Sequence, residues 1–208
     1  MNTNNTKNLI FDFGGVLCDL QPDRCLGNFK KLGLDGDLLP RQYSQFDGIF
    51  QKLDRGIMTA DTFYDTLRKQ SSMPDVSNSQ IRDAWVSIID PIQPERYEAL
   101  RRLKDHFKLY ILSNSNEIHW HYIQENLMSY QGEDITNWFD HIFLSHELHL
   151  EKPEPELYQA VTDIAHIEPS QSLFIDDSQI NLDGASKLGF QTLLSKEGDW
   201  TTKLSNMI

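Results

Sequence analysis

The side chains that could take part in chemistry lie in four short segments of the 208-residue chain. Asp12 follows one apolar run and is itself followed by two glycines, which let a ligand approach the backbone closely. Ser113 and Asn114 follow a second apolar run, where a hydroxyl and backbone N–H groups could hold a phosphate oxygen. Taken alone, that second segment is better explained as an ordinary helix N-cap.

The other two segments supply charge. Lys152 stands just before a proline-initiated helix, either as a surface lysine with ordinary ion pairs or as the cation that balances carboxylates and a phosphate. Asp176 and Asp177 directly follow a third apolar run, and two adjacent acids there are costly unless a cation shares their site. Because carboxylates combined with substrate oxygens suit Mg²⁺, the sequence indicates a magnesium site next to a phosphate.

The elements that must position these residues are short apolar strands separated by helices. The predicted strands cover residues 7–13, 108–112, 172–175 and 190–194. Helical patterns start near Pro94, residues 153–156 and Ser178, and Gly189 ends the last of them. This alternation predicts an α/β protein with a parallel, doubly wound sheet, whose ligands gather at the carboxyl ends of the strands.

Residues 20–90 have a different sequence pattern, in which the predicted elements are helices. Apolar residues recur there at helical spacing, in the sets Phe46, Ile49, Phe50 and Leu53, and Ile81, Trp85 and Ile88. Such amphipathic helices need each other's apolar faces, so this stretch is predicted to be an inserted helical bundle. Residues 1–19 and 91–208 then form the sheet-containing core. The aromatic residues of the bundle are interpreted as packing residues, not as a cofactor site.

Composition limits the partners and the compartment. The net charge of −12 argues against nucleic acid and anionic membranes as partners. Cys18 and Cys25 are too few for a disulfide framework and fit a reducing compartment. Since the apolar stretch near the start is short and broken by acids, neither a signal peptide nor a membrane helix is expected, and the cytoplasm is the predicted location. The sequence does not indicate an oligomeric state.

In their order along the chain, the four segments resemble the haloacid dehalogenase (HAD) superfamily, and within it the bacterial α-D-glucose-1-phosphate phosphatase-like proteins. The match runs through residues 12–16, 112–116, 152–154 and 174–189, closely in the core and loosely in the insertion. The resemblance implies a Rossmann-like core with a helical cap that grows from the loop after the first strand. It also implies a Mg²⁺-dependent phosphatase of a small phosphorylated metabolite, with a sugar phosphate as the expected substrate.

The same resemblance implies a role for each motif residue. Asp12 is the expected nucleophile, which attacks phosphorus and forms an aspartyl-phosphate that water hydrolyses. Lys152 is the second expected catalytic residue and orients Asp12. The expected substrate-binding residues are Ser113, Asn114 and Lys152. The expected metal ligands are the carboxylates of Asp12, Asp176 and Asp177 and the backbone carbonyl of Gly14.

Two positions outside these sets also take their interpretation from the resemblance. Asn181 is expected to fix the loop behind the metal. The turn Asp54-Arg55-Gly56 resembles an acid-x-Gly turn that is common in such caps, and it is interpreted as structural rather than substrate-contacting.

One position departs from the pattern of these phosphatases. Two residues after the nucleophile they usually carry a second Asp that protonates the leaving group, and here that position is Gly14. A positioned general acid–base is worth about 10²–10⁴ in rate, so we expect weakened chemistry at an otherwise complete site. Asp19 is a poor substitute because it lies toward the cap, and His119 and His121 are predicted to be helix-surface residues.

The departure leaves two alternatives open. One is a metal-independent 2-haloacid dehalogenase, which also lacks that Asp and displaces halide from carbon. The other is a non-catalytic protein that binds a phosphorylated ligand. The adjacent pair Asp176-Asp177 argues against the dehalogenase, because a metal-free site has little reason to keep two acids together.

Overall fold

A computed structural model describes residues 5–34, 48–73 and 75–205. It contains one five-stranded sheet and a small separate hairpin. The strands of the sheet are β1 (Asn8–Phe11), β2 (Lys108–Ser113), β5 (His141–Leu144), β6 (Ser172–Asp176) and β7 (Gln191–Leu194). All are parallel, in the order β5-β2-β1-β6-β7. The hairpin pairs β3 (Ser129–Tyr130) with β4 (Glu133–Asp134).

The central strand β1 is buried on both faces, as its continuous apolar sequence predicts. Leu9 and Phe11 belong to one hydrophobic core, whereas Ile10 belongs to the core on the opposite face of the sheet. This alternation follows from the two-residue period of a strand. The strand therefore fixes the direction and depth of the residue that follows it.

Helices cover both faces of the sheet and form the insertion. They are α1 (Pro22–Lys31), α2 (Ile49–Asp54), α3 (Ala60–Gln70), α4 (Asn78–Val86), α5 (Pro94–Leu103), α6 (Glu117–Asn126), α7 (Ser145–Leu148), α8 (Pro155–Ala165), α9 (Gln179–Lys187) and α10 (Trp200–Lys203). Prolines occupy the first turns of α5 and α8, where their missing N–H costs nothing. Within the described ranges, no helix is long and apolar enough to cross a bilayer.

The predicted α/β architecture is confirmed, with two omissions. The four predicted strands are present, with ends that differ by one or two residues. Strand β5 and the hairpin were not predicted from the sequence. β5 is a four-residue edge strand whose first two residues, His141 and Ile142, are exposed and half-buried, so it lacks the continuous apolar run that marks the central strands.

Between β1 and α5 the chain forms α1 to α4, which pack around an aromatic cluster. The Phe50 ring centroid lies 5.3 Å from that of Phe63 and 4.9 Å from that of Trp85. Phe46, assigned to the same cluster from its spacing, lies outside the described residues. Leu20 and Ile89 form an antiparallel bridge where the chain leaves and re-enters the core. The division into a core (1–19 and 91–208) and a cap (20–90) remains a prediction.

Candidate active site

The carboxyl ends of the three central strands bring the predicted site residues together. Asp12 follows β1, and its N–H donates to the carbonyl of Ile175 in β6 at 2.9 Å. Ser113 ends β2 on one side of β1, and Asp176 ends β6 on the other. The site therefore forms at the edge of the sheet where parallel α/β proteins bind ligands.

Lys152 joins two of these carboxylates. Its Nζ atom lies 2.8 Å from Asp12 Oδ1 and 2.8 Å from Asp176 Oδ2, and all three residues are buried. Asn114 holds the backbone of Lys152 from both sides, since its Nδ2 donates to the Lys152 carbonyl and its Oδ1 accepts from the Lys152 N–H. Asn114 thus positions the lysine, which is a different use of its amide from the substrate contact expected from the sequence.

The electrostatics of the cluster leave negative charge in excess. Burial raises the pKa of Asp12 to about 7, Lys152 opposes this rise, and Asp176 adds to it. Burial alone would lower the pKa of Lys152, but Asp12 and Asp176 outweigh that effect and raise it. Burial and Asp176 also raise the pKa of Asp177. Lys152 contacts Asp12 and Asp176, and Lys196 offsets the rise in the pKa of Asp177 only in part, so a further cation would stabilise the ionised forms of the three carboxylates.

The same carboxylates have the spacing of a metal site. Asp12, Asp176 and Asp177 each offer an oxygen, and these oxygens lie within 4.8 Å of one another. Asp176 is held most firmly, because Oδ1 accepts from the N–H of Ser178 at 2.8 Å and from Asn181 Nδ2 at 3.1 Å. Hard oxygen donors at this spacing fit Mg²⁺. Asn181 thus contacts an acid of the predicted metal site, at the place expected for it.

The two glycines after Asp12, Gly14 and Gly15, differ in whether the structure requires a glycine at the position. Gly15 has φ +79°, and a Cβ there would lie 2.5 Å from Asp177 Oδ2, so a side chain would displace that carboxylate. Gly14 has no such backbone requirement. A Cβ at Gly14 would lie 3.0 Å from Leu20 Cδ1, so the side chain of Leu20 covers this position.

The loop that follows these glycines is held by two residues that sequence reasoning missed. The Arg96 guanidinium donates to the carbonyl of Leu17 at 3.2 Å and pairs with Asp19 at 2.7 Å. Trp200 Nε1 donates to the carbonyl of Val16 at 2.9 Å. Neither residue belongs to a sequence pattern that could have revealed its role, because each acts through the backbone of a distant segment.

A cavity of about 1000 Å³ opens above the carboxylates. Its floor includes Asp12, Gly14, Asn114, Lys152 and Asp177. Its upper wall is formed by Leu20, Gln51, Asp54, Trp85 and His119. Ser113 is buried at the end of β2 and contributes no part of the cavity wall.

The prediction that His119 is a helix-surface residue is wrong. Its ring is buried and stacks on Trp85 with centroids 4.4 Å apart, because the insertion covers this face of α6. Nε2 lies 3.3 Å from the Trp85 carbonyl, which can only accept, so Nε2 carries the proton and Nδ1 accepts from Asn116 Nδ2. Burial lowers the pKa of His119 to about 4. His121 is exposed, as predicted, and lies 3.2 Å from Glu125.

The turn Asp54-Arg55-Gly56 attaches the insertion to the segment that carries Lys152. The Arg55 guanidinium contacts Glu154 at 2.5 Å and Glu151 at 3.3 Å, on either side of that lysine. A Cβ at Gly56 would collide with the carbonyl of His146, so the two backbones touch there. This turn therefore has a structural part in joining the two regions.

Comparison with known proteins decides the family. The family of haloacid dehalogenase-like hydrolases matches residues 6–189. The chain belongs to this family. It is 31% identical to D-ribitol-5-phosphate phosphatase of Bacteroides thetaiotaomicron over 201 residues, which is 96% of this chain and 97% of that protein. The resemblance to the HAD superfamily inferred from the four segments is confirmed, whereas the closer resemblance to glucose-1-phosphate phosphatase-like proteins stays a prediction.

Solved structures of HAD proteins share the fold along nearly the whole chain. A HAD family enzyme of Bacteroides thetaiotaomicron superposes with a TM-score of 0.90 at 38% identity, covering 97% of this chain and 99% of that one. A structure of the same enzyme in complex with magnesium and inorganic phosphate gives a TM-score of 0.88 at 38% identity, covering 95% and 98%. A predicted HAD-like hydrolase of Porphyromonas gingivalis gives a TM-score of 0.85 at 25% identity, covering 98% of each chain.

Proposed function

We propose that this HAD protein is a Mg²⁺-dependent phosphatase that hydrolyses the phosphoric monoester of a small sugar or polyol. The observation that carries the proposal is the cluster at the floor of the cavity, where Lys152 bridges Asp12 and Asp176 at 2.8 Å and Asp177 completes a set of three carboxylates. The comparisons support it, since they include a D-ribitol-5-phosphate phosphatase and a structure of a HAD family enzyme in complex with magnesium and inorganic phosphate.

The residues fit the metal that the family implies. Three carboxylates carry more negative charge than Lys152 and the nearby Lys196 offset, and a divalent cation would balance the excess. Asp12, Asp177 and the carbonyl of Gly14 would hold Mg²⁺, with Asp176 as a further ligand or as a support behind it. The ion would supply positive charge for the phosphoryl oxygens of the substrate.

Asp12 performs the chemistry in this proposal. Its carboxylate attacks the phosphorus atom, the bond from phosphorus to the leaving oxygen breaks, and the phosphoryl group passes to Asp12. Water then hydrolyses the aspartyl-phosphate and releases phosphate. Lys152 keeps the Asp12 carboxylate oriented and offers its ammonium group to the phosphoryl oxygens, and Asn114 keeps Lys152 in place. Ser113 stays a proposed phosphate ligand, although it is buried at the end of β2 and does not line the cavity.

The cavity walls favour a neutral, hydroxyl-rich substrate. Asp19 and Glu151 line the cavity, and a carboxylate that already pairs with one group can still accept from substrate hydroxyl groups. The same acids disfavour a second anionic group on the substrate. Together with the net charge of −12, they argue against nucleic acid and anionic membrane surfaces as partners.

A metabolite screen tests the proposal. Purified protein is incubated with Mg²⁺ and a panel of sugar phosphates, polyol phosphates and nucleotides, and released phosphate is measured. We expect turnover of sugar or polyol phosphates, and its loss in EDTA. Asp12→Asn should lower kcat by roughly 10⁴- to 10⁶-fold, as removal of catalytic groups does in other enzymes, while the protein stays folded.

The same panel, extended with 2-haloacids, also separates the phosphatase from the dehalogenase and from a non-catalytic binding protein. Halide release from a 2-haloacid that survives EDTA would indicate the dehalogenase. Binding of phosphate with Mg²⁺, but no turnover of any substrate, would indicate a non-catalytic protein. Full activity of the Asp12→Asn variant would overturn the assignment of the nucleophile.

A further inference from the structure

We propose that Asp54, on the insertion side of the cavity, is the acid–base residue of the reaction. This inference rests on the proposed phosphatase function and adds the group that moves the protons. An alkoxide is a poor leaving group, so its departure from phosphorus needs a proton donor. The loop after Asp12 offers none at Gly14, where Leu20 covers the position of a side chain.

Asp54 is fixed above the carboxyl edge of the sheet by groups of the core. Its Oδ1 accepts from Asn116 Nδ2 at 2.7 Å, and its carbonyl accepts from Ser145 Oγ at 2.6 Å. Asn116 caps α6 just after β2, and Ser145 begins α7 just after β5. Although Asp54 belongs to the insertion, its position is therefore tied to the strands that carry the site, and its side chain lines the same cavity as Asp12.

Elimination among the other acids of the cavity points to the same residue. Asp19 pairs with Arg96 at 2.7 Å, and Glu151 is held by Gln51 at 2.7 Å and Arg55 at 3.3 Å. Asp12 and Asp177 belong to the proposed metal site, and Glu197 is exposed. Among the described acids that line the cavity, Asp54 is thus the one partly withdrawn from solvent without an ion pair or a metal role.

His119, which contacts the same Asn116 amide, cannot be the acid–base residue. Both ring nitrogens of His119 are engaged, one by the Trp85 carbonyl and the other by the Asn116 amide. Accepting a proton at Nδ1 would place it against the N–H of that amide. His119 is therefore a neutral support for Asn116, which in turn fixes Asp54.

The surroundings of Asp54 suit proton exchange near neutral pH. Burial raises the pKa of Asp54 to about 7, the Asn116 hydrogen bond opposes the rise, and Glu151 adds to it. The remaining ionisable groups around it are engaged, since Arg55 pairs with glutamates and His146 Nδ1 contacts the carbonyl of Ser115. Because Asn116 Nδ2 can only donate, it occupies Oδ1 as an acceptor and leaves Oδ2 to carry the proton.

The proton balance closes over the two steps. As Asp12 attacks and the bond between phosphorus and the leaving oxygen breaks, the Asp54 proton passes to that oxygen and the alcohol departs. The Asp54 carboxylate then takes a proton from the water that attacks the aspartyl-phosphate. Phosphate leaves, Asp12 is restored as a carboxylate and Asp54 is protonated again.

The test compares two leaving groups in wild type and Asp54→Asn. p-Nitrophenolate leaves without a proton, whereas the leaving group of phenyl phosphate needs one. For phenyl phosphate we expect Asp54→Asn to lower kcat by about 10²–10⁴-fold. For p-nitrophenyl phosphate we expect a burst of about one nitrophenolate per site, followed by slow turnover, because only the second step lacks its base. For phenyl phosphate we expect kcat/KM of wild type to decline as the pH rises through about 7, where Asp54 loses its proton, and we expect the variant to lose this decline.

Controls distinguish this role from a structural one. Asp65→Asn removes an exposed carboxylate of the same insertion and should leave the turnover of both substrates unchanged. Asp54→Glu, which keeps the carboxyl group, should retain the alkaline decline at lower kcat, and it is the decisive variant if Asp54→Asn does not fold. Equal losses on both substrates without a burst, or an unchanged pH profile, would overturn the proposal. Wild type without phosphatase activity would instead overturn the proposed function.

Discussion

Lys152 and Asp12 form an ion pair of 2.8 Å in which the lysine side chain is 1% exposed and the aspartate side chain 11% exposed. The same ammonium group contacts Asp176 at 2.8 Å. Breaking a buried pair by removing one partner leaves an uncompensated charge in a medium that solvates it poorly. Lys152 is therefore needed both for the proposed chemistry and for the stability of the sheet edge.

Lys152→Met should lower the free energy of unfolding by about 3–5 kcal/mol when Mg²⁺ is absent, because two buried carboxylates lose their cation. Urea denaturation measures the loss. Added Mg²⁺ should restore part of it, since a divalent ion can pair with the same carboxylates. Lys203→Met is the matched control: this lysine pairs with Asp199 at 2.6 Å but is 40% exposed, so its loss should cost less than about 1 kcal/mol. Equal losses for the two variants would contradict the argument.

Gly15→Ala should damage metal binding as well as stability. The positive φ of Gly15 costs an alanine roughly 1–2 kcal/mol, and the new Cβ would also push the Asp177 carboxylate away. Gly132→Ala provides the comparison, because Gly132 has φ +83° with nothing within 4 Å of a Cβ. Both variants should lose stability, Gly15→Ala by more because of its clash with Asp177. We expect Mg²⁺ to raise the Tm of wild type and of Gly132→Ala, but not that of Gly15→Ala. A normal rise in Gly15→Ala would argue against Asp177 as a ligand.

The core of the site was predictable because buried parallel strands can be recognised in the sequence as continuous apolar runs. The apolar runs before Asp12, Ser113 and Asp176 mark central strands, and the topology of a parallel sheet brings their ends to one edge. The edge strand β5 carries no such signal, since its first half is not buried. The same reasoning places a residue at the edge of the sheet, but not its hydrogen bonds, so it could not tell that Asn114 holds Lys152.

Contacts between the insertion and the core could not be predicted from the sequence. His119 lies on α6, and it is the packing of Trp85 from the insertion against its ring that makes it a buried residue. Arg96 likewise acts on a backbone carbonyl 79 residues away. No local pattern encodes a contact of this kind, because the partner is chosen by the three-dimensional arrangement of the elements.

Gly14→Asp tests whether the position two residues after the nucleophile can accept an acid–base group. The Cβ alone would press on Leu20, so the substitution is best made together with Leu20→Ala. With Gly14→Ala/Leu20→Ala as the matched control, we expect the Asp variant to turn over phenyl phosphate faster by up to about 10²-fold. The gain should be largest where Asp54 is replaced by Asn. Equal rates in the Asp and Ala variants would mean that this loop cannot aim a carboxyl group at the leaving oxygen.

His119 should make the stability of the protein depend on pH. Its pKa is lowered to about 4 in the folded state, from an ordinary value of 6.5, so the unfolded chain binds the proton first. Its neutral form is favoured in the fold, and the stability it supports is present above about pH 6.5 and is lost as the pH falls toward 4. Relative to His119→Gln, which can keep both hydrogen bonds without titrating, wild type should lose about 2–3 kcal/mol between about pH 7 and about pH 4.5 in urea denaturation. His121→Gln, at an exposed position of the same helix, should follow the wild-type pH dependence. If His119→Gln also follows it, the histidine is not buried in its neutral form.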